Sequence, residues 1–207
     1  MSHFSELLAQ YVSVSTAEAE LLEAHYGLLD KWNKKLNLTA IRNLEDAVLR
    51  HYAESVWFAQ RLPEAQTVVD VGSGGGFPGV PIAVLRPATA VTLVESHQRK
   101  GVFLSEVARV LRSEAIQPII RVQSRRIEEV LGDFDILTAR AVNWTDFWAV
   151  VPRLSARVAL LLGRSNVDEL LQQPNFEWSL PEKLPWGDNR YLLLGQRISS
   201  QLGEGST

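Results

Sequence analysis

Apolar residues in the first 62 positions recur at three- and four-residue intervals, the spacing of one helix face. Leu21, Leu22, His25, Leu28, Leu29, Trp32 and Leu36 form such a stripe. Ser15-Thr16-Ala17-Glu18 precedes it with the form of a capping box, in which serine and glutamate side chains satisfy free amides of the first turn. A second helix is predicted from Leu44 to Arg61, with Asn43 as its cap. From Thr67 the period changes to short β-branched runs alternating with helical windows, which predicts βαβ units in a mostly parallel sheet. The strands fall at Thr67 to Val71, Val91 to Glu95, Ile116 to Val122, Asp135 to Ala139, Ala156 to Leu162 and Arg190 to Gln196. Helices are expected at Pro81 to Arg86, Arg99 to Arg112 and Thr145 to Leu154, and Phe176 to Leu180 supplies an edge strand antiparallel to the last one. The expected architecture is an α/β doubly wound sheet over residues 63–198, an N-terminal helical extension over 1–62, and a frayed tail over 199–207.

Composition narrows the chemistry. The 207 residues are 46% hydrophobic and 22% charged, a balance that excludes disorder and collagen and supports a buried core. Cysteine is absent, which removes disulfides, thiolate nucleophiles and cysteine-type zinc sites. His3, His25, His51 and His97 lack HExxH or His-x3-His spacing, so no metal is expected. No signal-like start and no membrane-length apolar run is present, so a cytoplasmic protein is expected. The net charge of -3 would not drive the whole molecule onto phosphate backbones, so any nucleic-acid contact must be local.

The most informative stretch is Val68-Val69-Asp70-Val71-Gly72-Ser73-Gly74-Gly75-Gly76-Phe77-Pro78-Gly79-Val80-Pro81, a strand running into a glycine-dense turn. Glycine permits positive φ and lets a ligand approach the backbone. A dinucleotide fingerprint read from Gly72 fails at Phe77, and one read from Gly74 begins too far beyond the strand. The frame acidic-x-Gly-x-Gly-x-Gly fits Asp70, Gly72, Gly74 and Gly76, and resembles the cofactor loop of Rossmann-like S-adenosylmethionine (SAM) methyltransferases. SAM carries no phosphate, so such a loop need only admit its aminoacyl and ribosyl part, with Asp70 ordering the turn or the ammonium end. Glu95 ends the next strand, where a carboxylate can accept from both ribose hydroxyls. A structural turn and a solvated strand end would account for either feature alone; their common register favours the cofactor reading.

Several further stretches together resemble the bacterial small-subunit ribosomal RNA guanine-N7 methyltransferases, the glucose-inhibited division protein B family. They are Trp32-Asn33-Lys34-Lys35-Leu36-Asn37-Leu38-Thr39, Arg50-His51-Tyr52-Ala53-Glu54-Ser55, the glycine turn with its Phe-Pro-Gly-x-Pro ending, Glu95-Ser96, Lys100 with Phe103-Leu104, Arg126-Ile127-Glu128, Asp135 through Arg140-Ala141, and Arg190. The resemblance implies SAM as cofactor, contacts from Gly72 and Phe77, Ile127 and Glu128 near the adenine, Glu95 on the ribose, and Arg140 beside the reacting methyl. It also implies a small-subunit rRNA or small ribosomal subunit as partner, met by a monomer. The chain departs from the family at Leu162, where a lysine is usual, and at Glu54, where an aspartate is usual. The alternatives are therefore a methyltransferase for another RNA or a small molecule, or a non-catalytic ribosome-binding relative.

Guanine N7 has an in-plane lone pair and no proton, so attack on a sulfonium methyl needs alignment rather than a general base. Arg140 is accordingly expected as a phosphate clamp or site organiser. RNA contacts are expected from Lys34 with Lys35, Arg50 with His51, Arg99 with Lys100, and Arg121, Arg125 and Arg126. Trp32 is expected in the core, and Trp144 and Trp148 against the sheet. The acidic balance suits a substrate presented as a structured ribonucleoprotein.

Overall fold

The computed structural model describes residues 2–113, 115–187 and 189–198; the expected tail at 199–207 lies outside them. The chain opens with α1 (His3–Leu8), capped by Ser2, and α2 (Thr16–Leu36), whose Ser15/Glu18 capping box is present in full. The predicted second helix is one continuous rod with a changed pitch in its middle: α3 (Leu44–Ala47), a π-helical segment (Val48–Ala53) and α4 (Glu54–Arg61). Asn43 caps it by accepting from the Asp46 amide.

The sheet comprises β1 (Thr67–Val71), β2 (Ala90–Val94), β3 (Ile119–Gln123), β4 (Ile136–Arg140), β5 (Arg157–Gly163), β6 (Phe176–Trp178), β7 (Glu182–Lys183) and β8 (Arg190–Arg197). Its order is β3-β2-β1-β4-β5-β8-β6, with β7 also on β8. The first five strands are parallel and β8 joins antiparallel to β5. β6 is the antiparallel edge strand anticipated from Phe176 onward. β3 starts three residues later than predicted because Ser113 and Ile116 close a turn, exchanging two hydrogen bonds of 2.9 Å.

Between the strands lie α5 (Gly79–Leu85), α6 (Gln98–Val110), α7 (Val151–Leu154) and α8 (Arg164–Leu170). The helix expected from Thr145 to Leu154 is instead two 3₁₀ turns, Trp144–Asp146 and Trp148–Val150, followed by α7. Pro152 has no amide to donate to a preceding carbonyl, so a single helix cannot run through it without losing a bond. The short elements α1, α8 and β7 have no counterpart in the sequence reading.

Alternation along the strands divides the core in two. Val68, Val91, Leu93, Ile136, Ala159 and Leu161 face the N-terminal helices, α5 and α6, packing with Phe4, Leu22, Tyr52, Phe58 and Phe103. Val69, Val71, Leu137, Ala139, Leu160 and Leu162 face the other way, toward Trp144, Phe147 and Val167. By the same parity Asp70 and Arg140 point toward the N-terminal helices. Trp32 packs on the first core and donates from Nε1 to Glu106 at 3.0 Å, while Trp144 and Trp148 pack on the second.

Candidate active site

The strand order reverses between β1 and β4, and in open parallel sheets ligands bind outside the carboxyl ends at that crevice. The glycine turn leaves β1 there. Gly72 and Gly74 have φ of 68° and 53°, a region that L side chains avoid. A Cβ on Gly72 would stand 2.7 Å from Val142 Cγ2, whereas one on Gly74 would meet only the Gly72 carbonyl, at 3.7 Å, and otherwise project into open space. Asp70 is fully buried beneath the turn: Oδ2 accepts from the Gly79 amide at 3.2 Å and Oδ1 from Thr138 Oγ1 at 3.2 Å. It thus orders the turn and is not available to a ligand's ammonium group. Burial pushes its carboxyl up to about 7, against the opposing effect of these hydrogen bonds.

Beside the turn is a cleft of about 340 Å³ lined by Val71, Gly72, Val94, Ser96, Ile127, Glu128, Val142 and Phe147, with Arg125, Arg126 and Asp146 at its border. Gly72 therefore meets the consecutive residues Arg126, Ile127 and Glu128, far from it in sequence, at one place. Glu95 lies between two of the lining residues. Its Oε2 accepts from the Gly74 amide at 3.0 Å and its Oε1 from the His97 amide at 2.8 Å, which fixes the carboxylate against the turn. Each oxygen keeps a second lone pair for a hydroxyl donor. An apolar floor, exposed glycine backbone and carboxylates at two edges suit the adenine, aminoacyl and ribose parts of SAM.

Phe77 and Arg140 belong to a neighbouring cluster of side chains. Neither lines this cleft. Phe77 is 6% exposed and packs with His25, Tyr52 and His51, the last stacked at 4.8 Å and 19°. The Arg140 guanidinium carbon lies 5.4 Å from the Phe77 ring centre. Arg140 Nη1 donates to the Arg50 carbonyl at 2.7 Å and to Glu54 Oε2 at 3.1 Å; Nη2 donates to His51 Nδ1 at 2.9 Å. The π-helical pitch matters here. A wider turn displaces carbonyls from the regular ladder, and that of Arg50 points to the guanidinium. Ala141, with φ 57°, follows and carries the chain to Val142 at the cleft, so two residues connect the arginine cage to the candidate cofactor site.

The cage alters the expected roles. His51, expected as an RNA contact, has both ring nitrogens engaged, Nδ1 by Arg140 and Nε2 by Thr39 Oγ1 at 2.7 Å. Burial, reinforced by the Arg140 charge, lowers its pKa to about 3. Glu54 keeps the carboxylate function despite the extra methylene; burial raises its pKa, opposed by Arg140, Arg190 and Arg50. Leu162 is 3% exposed in the second core, on the sheet face opposite Arg140, so no group able to contact a phosphate stands there. The sequence reading missed Thr39, His25 and the pairing of Glu54 with Arg140. His51 and Glu54 are three residues apart on one helix, a spacing that places both on one face; nothing local to Thr39 or His25 signals theirs.

The remaining basic candidates fall into two groups. Lys34 is tied to Asp30 at 3.0 Å and Arg50 to Asp46 at 3.6 Å, both exposed pairs within a helix. Arg99, Lys100, Arg121, Arg125 and Arg126 have no carboxylate partner among the described residues. The first turn of α6, with Arg99 and Lys100, touches the loop after β3 that leads into Arg125 and Arg126: Gln98 Nε2 donates to the Ser124 carbonyl at 3.2 Å, and a Cβ on Gly101 would collide with the Ser124 side chain. Arg121 lies within β3, its parity opposite to that of Ile120 and Val122, which pack on the first core. Among the described residues no cluster of three or more metal-ligating side chains occurs, and no helix is long and apolar enough to cross a membrane.

Five parallel strands ordered β3-β2-β1-β4-β5, an antiparallel strand beyond them, and a glycine turn answered by an acidic residue after β2 define the Rossmann-like methyltransferase fold. Solved structures agree: a ribosomal protein L11 methylase from Lactobacillus delbrueckii subsp. bulgaricus is similar at TM-score 0.56 and 17% identity, covering 72% of this chain and 79% of that one. A magnesium protoporphyrin IX methyltransferase from Synechocystis PCC 6803 with bound SAM is similar at TM-score 0.58 and 11% identity, covering 90% and 100%. The chain belongs to the GidB family, described as rRNA small subunit methyltransferase G, whose profile matches residues 18–179. Similar relatives include the ribosomal RNA small subunit methyltransferases G of Neisseria gonorrhoeae (strain NCCP11945), 41% identical over 63% of this chain and 64% of the relative, and of Francisella tularensis subsp. novicida, 40% identical over 74% and 72%. The matched stretch thus spans just under two thirds of the Neisseria protein.

Proposed function

We propose that this chain transfers a methyl group from SAM to N7 of a guanine in small-subunit ribosomal RNA. The carrying observation is the cleft that joins Gly72 to Ile127 and Glu128 beside the turn braced by Glu95, in a chain of this family. SAM, when bound, supplies an electrophilic methyl on a sulfonium. The protein's part is alignment. Gly72 and Gly74 present backbone without side chains, Glu95 accepts from the ribose, and Ile127 with Glu128 borders the adenine. A guanine N7 with its lone pair free needs no proton removed, which fits the state of these groups: His25 is buried and neutral, His51 is half-buried and neutral with both ring nitrogens engaged, and Asp70 is sealed under the turn. Bringing N7 to about 3–3.5 Å from the methyl carbon, in line with sulfur, accounts for several kcal/mol of the barrier. Positive charge passes to the guanine ring during transfer, so Arg140 serves as an organiser or phosphate ligand and not as a stabiliser of the developing charge.

The RNA backbone meets the basic strip formed by Arg99 and Lys100 of α6 with Arg125 and Arg126 at the cleft, and Arg121 extends it along β3. Between His97 and Val130 the sequence holds seven basic and four acidic residues, although the whole chain is net -3. Arg99 and Lys100 stand in the first turn of α6, where the helix dipole disfavours cations by about 0.3–1 kcal/mol each, an arrangement that stability alone does not favour. Lys34 and Arg50, paired within their helices, contribute less. The chain acts as a monomer on the assembled subunit in the cytoplasm. The test is transfer of labelled methyl from SAM to small subunits from a strain lacking the protein, beside protein-free rRNA. Faster labelling of subunits supports the reading; labelling of neither, with SAM binding intact, contradicts it.

A further inference from the structure

A line of hydrogen bonds runs from α2 to the end of β4. Asn33, 6% exposed near the end of α2, accepts from the Thr39 amide at 3.0 Å. Thr39 Oγ1 accepts from the Ile41 amide at 3.1 Å and lies 2.7 Å from His51 Nε2; His51 Nδ1 lies 2.9 Å from Arg140 Nη2. Donor inventories fix the direction. A guanidinium has five N–H donors and no acceptor, so Nδ1 must be the unprotonated nitrogen. The imidazole proton then sits on Nε2 and is given to Thr39, which uses its second lone pair to receive it. The other tautomer would set N–H against N–H at Arg140. The protonated ring would do the same and add a like charge.

Arg140 is held on three sides: by His51 at Nη2, and by Glu54 and the Arg50 carbonyl at Nη1. That engages three of its five donors, and Nε–H and the second Nη2–H have no protein partner among the described residues. A side chain only 9% exposed with two donors to spare can take a ligand, and its orientation depends on the bond to His51. Phe77, stacked on the His51 ring, fixes its plane but not its protonation. Arg140 dictates the tautomer, and Thr39 anchors the ring by receiving its Nε2–H.

We propose that Thr39, acting through His51, is a positioning residue for Arg140: by receiving the Nε2–H it holds in place the ring whose unprotonated Nδ1 keeps the guanidinium in its working orientation. This rests on Arg140 serving methyl transfer, as proposed above. The loop between α2 and α3 thereby acts on the reaction without touching cofactor or substrate.

The test compares wild type, Thr39→Val and Thr39→Ser by steady-state methyl transfer to small subunits, SAM titration, and ¹⁵N NMR of the histidine rings. Thr39→Val keeps the shape and removes the acceptor. It is expected to lower kcat at least about tenfold while leaving SAM affinity and the KM for subunits within about twofold, and Thr39→Ser is expected to restore kcat to within about threefold. In wild type the His51 ring is expected as the neutral Nε2–H tautomer from about pH 5 to about 8, and in Thr39→Val as the same tautomer with its Nε2 resonance shifted, because that proton has lost its acceptor. Wild-type kcat in Thr39→Val, with Arg140→Ala inactive, would overturn the positioning role alone. An Nδ1–H or protonated His51 in wild type would overturn it even if no variant folds. Full turnover in Arg140→Ala would overturn the reading of Arg140 and the relay with it, while the tautomer measurement would still report on the Thr39–His51 bond.

Discussion

Arg140, the last residue of β4, and Glu54, the first of α4, are 86 residues apart in sequence and 3.1 Å apart in space, with side chains 9% and 8% exposed. A buried ion pair is costly to break from one side, because the surviving charge loses its partner without regaining water. Arg140→Ala is therefore expected to destabilise the protein by about 3–5 kcal/mol as well as to lower methyl transfer. The double variant Arg140→Met/Glu54→Leu, which replaces both charges with apolar groups, is expected to recover most of that stability and none of the transfer. Urea denaturation beside a methyl-transfer assay separates the two effects. Recovery of transfer along with stability would reduce Arg140 to a purely structural part.

Asp70 makes stability depend on pH in a specific direction. Its folded pKa of about 7 lies above the ordinary 3.8, so its contribution is complete below about pH 4 and is lost as pH rises toward about 7. Asparagine at this position can still accept from the Gly79 amide and does not ionise. The stability of Asp70→Asn relative to wild type is expected to rise with pH by about 1.4 kcal/mol per unit across that window. A difference that stays constant from about pH 4 to about 7 would contradict the assignment.

His25 acts with the opposite sign. It is fully buried, makes a 3.0 Å hydrogen bond through Nδ1 with the Tyr52 hydroxyl, and burial lowers its pKa from 6.5 to about 3. Below about pH 6.5 the unfolded chain gains a proton that the folded one refuses, so stability falls as pH drops toward about 3, by about 1.4 kcal/mol per unit. His25→Gln should be less stable near neutrality and lose less stability on acidification. Denaturation curves at three pH values suffice to check the slope.

How much of this was legible in the sequence differs by locality. The glycine turn, Asp70 and Glu95 stand within 26 residues, and their roles follow from where one strand ends and the next begins. β1 falls at its predicted bounds, since five β-branched or acidic residues meet a glycine there and the chain can only turn. The arginine cage was not legible. Its members come from the loop after α2, the π-helical segment and β4, and their contacts exist only once the N-terminal helices lie on the sheet. For the same reason His51, beside Arg50, reads in sequence as half of a basic pair and folds as a half-buried neutral ring with both nitrogens engaged. Leu162 reads as a missing phosphate ligand and folds into the apolar core.

Gly74→Val separates cofactor binding from folding. The glycine has φ of 53° and open space where a side chain would project, so valine adds strain of about 1–2 kcal/mol and occupies the space beside Glu95. SAM affinity is expected to fall at least about tenfold, a loss of about 1.4 kcal/mol or more of binding free energy. Calorimetric titration measures it, and affinity near wild type would remove the turn from the cofactor site.

Replacing Arg99 and Arg125 by alanine tests the basic strip. If each neutralises one phosphate, binding to subunits weakens and the slope of log affinity against log salt shrinks by about 0.7–0.9 per contact. The thermal midpoint should not move, and Arg99→Ala, outside the cleft, should leave SAM affinity unchanged. An unchanged salt slope would place the RNA on another face.

The most direct test of the whole account is the identity of the methylated atom. Small subunits lacking the modification are incubated with the protein and SAM, and their RNA is treated for strand cleavage specific to N7-methylguanine. The account predicts cleavage at a single guanine, absent without SAM and absent with Gly74→Val. Methyl label in the RNA without N7 cleavage, or cleavage spread over many guanines, would contradict it.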